Sequence, residues 1–155
     1  MRYEYDDGGR AATGYKGDAG DCVCRAIAIA TGRPYAEIYE RLARETGAQR
    51  DGKRTKRRAA SAAHGIKTWR KWFKDYMADL GFAWVPTMEI GSGCCVHLRA
   101  TELPSAGRLI ARVSKHYVAV IDGVIRDTHD PSRGGTRCVY GYWMLQRPLG
   151  IKAAA

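Results

Sequence analysis

Three residues spread along the 155-residue chain, Cys22, His116 and Asp127, are of the types that together make a thiol nucleophile, its acid and base, and an orienting carboxylate. The sulfur of such a set attacks a carbonyl as the thiolate. The imidazole holds the proton and returns it to the leaving group, and the carboxylate sets the ring's tautomer and direction. This chemistry requires that local structure activate the cysteine and bring histidine and aspartate within reach of each other.

The cysteine lies in Gly20-Asp21-Cys22-Val23-Cys24-Arg25-Ala26-Ile27-Ala28-Ile29-Ala30-Thr31-Gly32. Asp21 is a good N-cap, Gly32 supplies the left-handed residue that ends helices, and Pro34 bars simple continuation, so a short helix is expected. Val23, Ala26, Ile27 and Ala30 share one face, which should be buried. Cys22 then stands at the first helical position, where unpaired N–H groups and the positive end of the helix dipole favour a thiolate. The glycines of the preceding loop, residues 16–20, would let backbone N–H groups approach a developing oxyanion closely.

Asp122-Gly123 between two apolar runs is a strong hairpin signal, because both central residues of the matching turn need positive φ. A two-residue loop pairs Ile121 with Val124 and Val120 with Ile125, and places Val118 opposite Asp127 and His116 opposite His129. His116, Val118, Val120, Ile125 and Asp127 then share a face, with Asp127 diagonal to His116. Diagonal neighbours have Cα atoms about 7–8 Å apart, close enough for a carboxylate to meet an imidazole.

The remaining pattern supplies the frame. Arg2–Tyr5 reads as a short edge strand. Pro34 opens a helix through Tyr35, Ile38, Tyr39, Leu42 and Ala43 that Gly47 closes, and a third helix runs from Ile66 to Leu80 with its aromatics forming a core stripe. Residues 82–86, 108–113, 116–121, 124–128 and 138–143 are β-prone runs. Helices first and strands afterwards predict an α+β fold, with N-terminal helices packed on a C-terminal antiparallel sheet. One domain spanning 1–155 is expected, carrying a basic loop at about residues 48–64 and a short flexible C-terminal tail.

Composition narrows the classes. No run of 18 apolar residues occurs and the N-terminus lacks an apolar leader, so a cytoplasmic chain without membrane contact is expected. Five cysteines, two adjacent and two split by one residue, make a poor disulfide framework and predict free thiols. Their spacing also misses the usual ligand pairs, so neither a metal site from Cys22, Cys24, Cys94, Cys95 and His97 nor a cofactor is expected. The formal charge of +10 and the run Arg50, Lys53, Arg54, Lys56, Arg57 and Arg58 suit either a solvated loop or a nucleic-acid patch. Taken singly, Cys22 fits a small core residue, His116 a sheet histidine and Asp127 the start of a turn. The enzymatic reading rests on helix start and hairpin register converging independently.

At these residues the chain resembles the papain-like cysteine peptidase superfamily. Asp21-Cys22-Val23-Cys24-Arg25-Ala26 is similar to the ovarian-tumour deubiquitinase motif Asn-Cys-Leu-Phe-Arg-Ala, and His116-Tyr117-Val118-Ala119-Val120 followed by Asp127 looks like the superfamily's late histidine strand and its acid or amide partner. The arrangement also resembles small phage and prophage proteins. The resemblance implies a papain-like fold, Cys22 as nucleophile, His116 and Asp127 as its partners, and a protein or peptide substrate cleaved at an amide. It also implies an oxyanion hole from the Cys22 N–H with a group near Lys16 or Asp18, although Ala19 stands where the ovarian-tumour motif has its aspartate. The alternatives are a basic nucleic-acid-binding protein and a papain-like binding module without activity.

Overall fold

The computed structural model describes residues 1–15, 20–49, 60–63 and 65–146. Among these, the chain forms β1 (Arg2–Tyr5), a 3-10 turn at Ala11–Thr13, α1 (Cys22–Thr31), α2 (Tyr35–Ala48), α3 (Lys71–Asp79), β2 (Phe82–Pro86), β3 (Arg108–Val113), β4 (His116–Ile121), β5 (Val124–Asp127) and β6 (Val139–Leu145). The six strands make one sheet in the order β1-β5-β4-β3-β6-β2. The α+β expectation holds. The sheet is mixed rather than antiparallel, because β1 runs parallel to β5, with Arg2 opposite Val124 and Tyr5 opposite Asp127. A four-residue strand at the chain start can join either edge in either direction, and nothing local selects one.

β3 and β4 lie at the centre and are buried along most of their length. Their near-continuous apolar runs fit coverage on both faces. On one face Ile110, Tyr117, Ala119 and Trp143 pack with the helices around Ile27, Ile38, Leu42, Phe73 and Met77. On the other, Leu109, Ala111, Val113, Val118, Val120 and Ile125 are closed off by Leu98 and Leu103 from the long β2–β3 connection, so a second apolar cluster exists that the expected two-layer packing lacks.

α1 is buried from Val23 to Thr31, not on one face only. A helix apolar all round belongs inside a fold. Its alanines admit close neighbours: Gly8 lies so near that a Cβ there would stand 3.3 Å from the Ala28 methyl and 3.2 Å from the Arg25 carbonyl oxygen. Gly47 does not end α2 but lies within it, where a Cβ would come 3.0 Å from that of Ala60. The third helix starts at Lys71 rather than Ile66. Residues 66–70 turn instead, with the Thr68 and Arg70 N–H groups donating to the Ile66 and Lys67 carbonyls. Trp69 leaves the predicted core stripe and is 64 % exposed. No helix of the described residues is long and apolar enough to cross a membrane.

Candidate active site

The hairpin that carries the acid and base forms in the predicted register. Asp122 and Gly123 have φ of 48° and 74°, the positive values a two-residue turn of this kind requires. Ile121 pairs with Val124, Val120 with Ile125 and Ala119 with Arg126. This register puts the first residue of β4 beside the last of β5, and His116 Nε2 lies 2.5 Å from Asp127 Oδ2. The other Asp127 oxygen accepts the Thr128 N–H at 2.7 Å. The His129 ring lies tilted at 47° beside His116, with ring centroids 5.1 Å apart.

Cys22 begins α1 at the N-terminal mouth of the buried helix, half-buried, and lines the same cavity as His116. Because Nε2 is engaged by Asp127, the nitrogen left for the sulfur is Nδ1. Burial by itself would push the His116 pKa down, but the hydrogen bonds and charge of Asp127 and Cys22 outweigh it and raise it to about 9. Asp127 is displaced the other way: burial pushes its carboxyl up, and His116, the Thr128 N–H and Arg25 together bring it below its ordinary value. The ring and the acid thus form a tightly coupled pair that favours imidazolium and carboxylate. Cys24, two residues on, is a contrast within the same helix. It is fully buried, and burial followed by the charge of Asp21 pushes its thiol up to about 12.

Asp21 does not cap α1 with its side chain. Its carboxylate is 2 % exposed and is taken up by Arg25 one turn later, by the Tyr35 hydroxyl, and by Arg10 Nε at 3.0 Å. Arg25 also reaches Asp127, with Nη2 3.6 Å from Oδ1. One buried guanidinium therefore ties the residue before Cys22 to the acid behind His116, fixing the start of α1 against the end of β5. A charge inside a low-dielectric interior must be paired. An Asp and an Arg four residues apart in an otherwise apolar helix were the signal for this role, and the sequence reading used neither residue that way.

A cavity of ≈ 340 Å³ opens over the pair, lined by Cys22, His116, Gly20, Gly65, Arg112 and Tyr117 among others. It shares Thr68, Arg112 and Tyr117 with an adjoining hollow of ≈ 250 Å³ walled by Trp69, Trp84 and Trp143 and flanked by Lys74. The Tyr117 hydroxyl donates to Thr68 Oγ1 at 2.8 Å and fixes the shared rim. Of the expected oxyanion residues, Lys16 and Asp18 lie outside the described residues, as do Arg50, Lys53, Arg54, Lys56, Arg57, Arg58 and the C-terminal tail. Among the described residues, the group with ligand atoms close enough for a metal is His116, Asp127 and His129, all within 4.8 Å of one another. Two of these already bind each other. The cysteine set considered for metal is not assembled, and the expectation of free thiols fails at one pair: Cys94 is joined to Cys138 in a disulfide, while Cys22, Cys24 and Cys95 are free. The 44-residue separation hides this contact, since it depends on how the β2–β3 connection folds back on β6.

Searches with models of protein families, with curated proteins and with solved structures gave no match for this chain.

Proposed function

We propose that this chain is a thiol hydrolase, papain-like in fold, that cleaves the amide bond of a peptide or isopeptide through Cys22, His116 and Asp127. The observation that carries the reading is that Cys22, at the start of α1, and His116, hydrogen-bonded to Asp127, line the same open cavity. The sulfur, its proton passed to His116 Nδ1, adds to the carbonyl carbon. His116 then protonates the departing amine, leaving a thioester on Cys22. A water that gives its proton to the same ring hydrolyses the thioester and restores the thiol. Asp127 keeps Nε2 engaged throughout, so Nδ1 is the nitrogen that exchanges protons. The Cys22 N–H, in a first helical turn that has no intrahelical acceptor, is placed to receive the carbonyl oxygen as charge develops.

The hollow walled by Trp69, Trp84 and Trp143 suits a large apolar side chain of the substrate, with Lys74 and Arg112 favouring a nearby acidic group. The test is a library of peptides that release a fluorophore from a C-terminal amide, varied at the flanking side chains. The expected result is turnover that Cys22→Ala and His116→Gln each abolish, with a thioester adduct detected on Cys22 by mass spectrometry. Hydrolysis that survives Cys22→Ala would contradict the proposal. Peptide binding with no turnover in the wild type would favour a binding module on the same fold.

A further inference from the structure

A second sulfur-centred cluster lies outside the cavity. The disulfide Cys94–Cys138 has one exposed and one half-buried partner, with Cα atoms 5.9 Å apart. It joins the loop before His97 to the start of β6, where His97 bridges Cys138 and the Val139 N–H donates to the Val96 carbonyl at 2.8 Å. His97 Nε2 is 3.6 Å from Cys94 Sγ, and His97 Nδ1 is 3.0 Å from Glu102 Oε2. The His97 backbone N–H donates to the same carboxylate at 2.6 Å and Arg99 Nε donates to its other oxygen at 2.5 Å. These donors, the His97 N–H first and then Arg99, hold the Glu102 carboxyl down at about 2. The carboxylate is therefore charged at any physiological pH. It fixes the proton on Nδ1 and leaves Nε2 as the nitrogen that exchanges a proton with the Cys94 sulfur. Cys95, adjacent and exposed, donates among the described residues to the Ser92 and Gly93 carbonyls, at 3.8 and 3.7 Å.

We infer that Cys94, Cys138, His97 and Glu102 form a thiol–disulfide exchange site that reacts with low-molecular-weight thiols, with Cys94 as the sulfur that leaves and returns. In reduction, the thiolate of the small molecule attacks Cys138 Sγ and the Cys94–Cys138 bond breaks. The electron pair departs on Cys94 Sγ, which takes a proton from protonated His97 Nε2, and a mixed disulfide remains on Cys138. A second thiolate attacks the sulfur of the small molecule in that mixed disulfide and releases the Cys138 thiolate. The two small thiols leave oxidised as one disulfide, and the protein disulfide has gained their two electrons. Oxidation runs the same steps backward: His97 Nε2 takes the Cys94 proton and the resulting thiolate displaces the small thiol from Cys138. A histidine beside the departing sulfur lowers the barrier because exchange rates rise as the leaving thiolate is stabilised. The inference does not depend on the proposed hydrolysis.

The test uses the full chain with glutathione as the small thiol, quenched by alkylation and read by mass spectrometry. The expected result is reduction within minutes at millimolar glutathione, a mixed disulfide mapped to Cys138, and rates about tenfold lower in both His97→Gln and Glu102→Gln. Cys95→Ser should leave the rates unchanged. After reduction, Cys94 should alkylate about tenfold faster than its neighbour Cys95. Glu102→Gln keeps the side chain's shape, so a folding defect in one variant does not decide the outcome. Rates unaffected in both His97→Gln and Glu102→Gln, a mixed disulfide mapped to Cys94, or a bond that resists glutathione altogether would each overturn the inference.

Discussion

Replacing Asp127 with asparagine should lower the proton affinity of His116 sharply. The wild-type imidazole is held at about 9 against an ordinary 6.5, with burial opposing the rise and Asp127 and Cys22 producing it. The protonated ring is therefore strongly preferred over the neutral one near neutral pH. In Asp127→Asn the charge is gone while the burial remains, so the ring's midpoint should fall. The same shift has a stability consequence. His116 is raised, so its contribution is present below 6.5 and is lost as pH climbs through about 9. Asp127 is lowered from 3.8, so its contribution is present above 3.8 and is lost as pH falls further. The pair therefore stabilises the wild type most between 3.8 and 6.5, and the stability gap to Asp127→Asn should narrow on both sides of that window. The assay is an NMR titration of the histidine Cε1 protons from about pH 5 to about pH 10, with His116 assigned through His116→Gln, alongside urea unfolding at each pH. A wild-type midpoint near the ordinary histidine value, or an Asp127→Asn midpoint that does not move, would refute the reasoning.

Arg25→Met removes the guanidinium shared by Asp21 and Asp127 and leaves two buried carboxylates without it, so urea unfolding should show a loss of about 3–5 kcal/mol. A loss under about 1 kcal/mol would show that the bridge does not hold the site together. Gly141→Ala would drive a Cβ into the Trp84 ring, so a loss of about 1–3 kcal/mol and a change in tryptophan fluorescence are expected, with an unchanged spectrum contradicting the packing. Cys24→Ala should leave peptide hydrolysis intact while Cys22→Ala removes it, since Cys24 is sealed in the core. Activity lost in both alike would mean that the helix, and not one sulfur, is being measured.

The parts that could be read in the sequence were those set by short-range rules. Asp122-Gly123 dictates a two-residue turn, and that turn alone fixes which residues of β4 and β5 face each other, so His116 and Asp127 could be paired before any fold was known. Asp21, Gly32 and Pro34 bound α1 in the same local way. What could not be read depends on distant partners. Arg25 has no role that spacing along the chain reveals, because its second partner, Asp127, lies about a hundred residues on. Helix starts favour Asp as a cap, but at Asp21 burial against Arg10, Arg25 and Tyr35 outweighs that role. The direction of β1 and the Cys94–Cys138 bond follow from how long connections return to the sheet, which spacing does not encode. Trp69 shares the helical period of a core stripe, yet the helix begins after it, so periodicity assigned to the interior a ring that instead walls the hollow beside the cavity.

The account stands or falls on whether His116 activates the Cys22 sulfur, and competitive alkylation measures this directly. With the disulfide intact, limiting iodoacetamide at about pH 6 followed by peptide mapping compares half-buried Cys22 with exposed Cys95 in one molecule. The account predicts that Cys22 is modified about tenfold faster despite its lower exposure, and that His116→Gln removes the advantage. If Cys95 is modified first, or if Cys22 reacts equally fast without His116, the two groups do not work together and the hydrolase is contradicted.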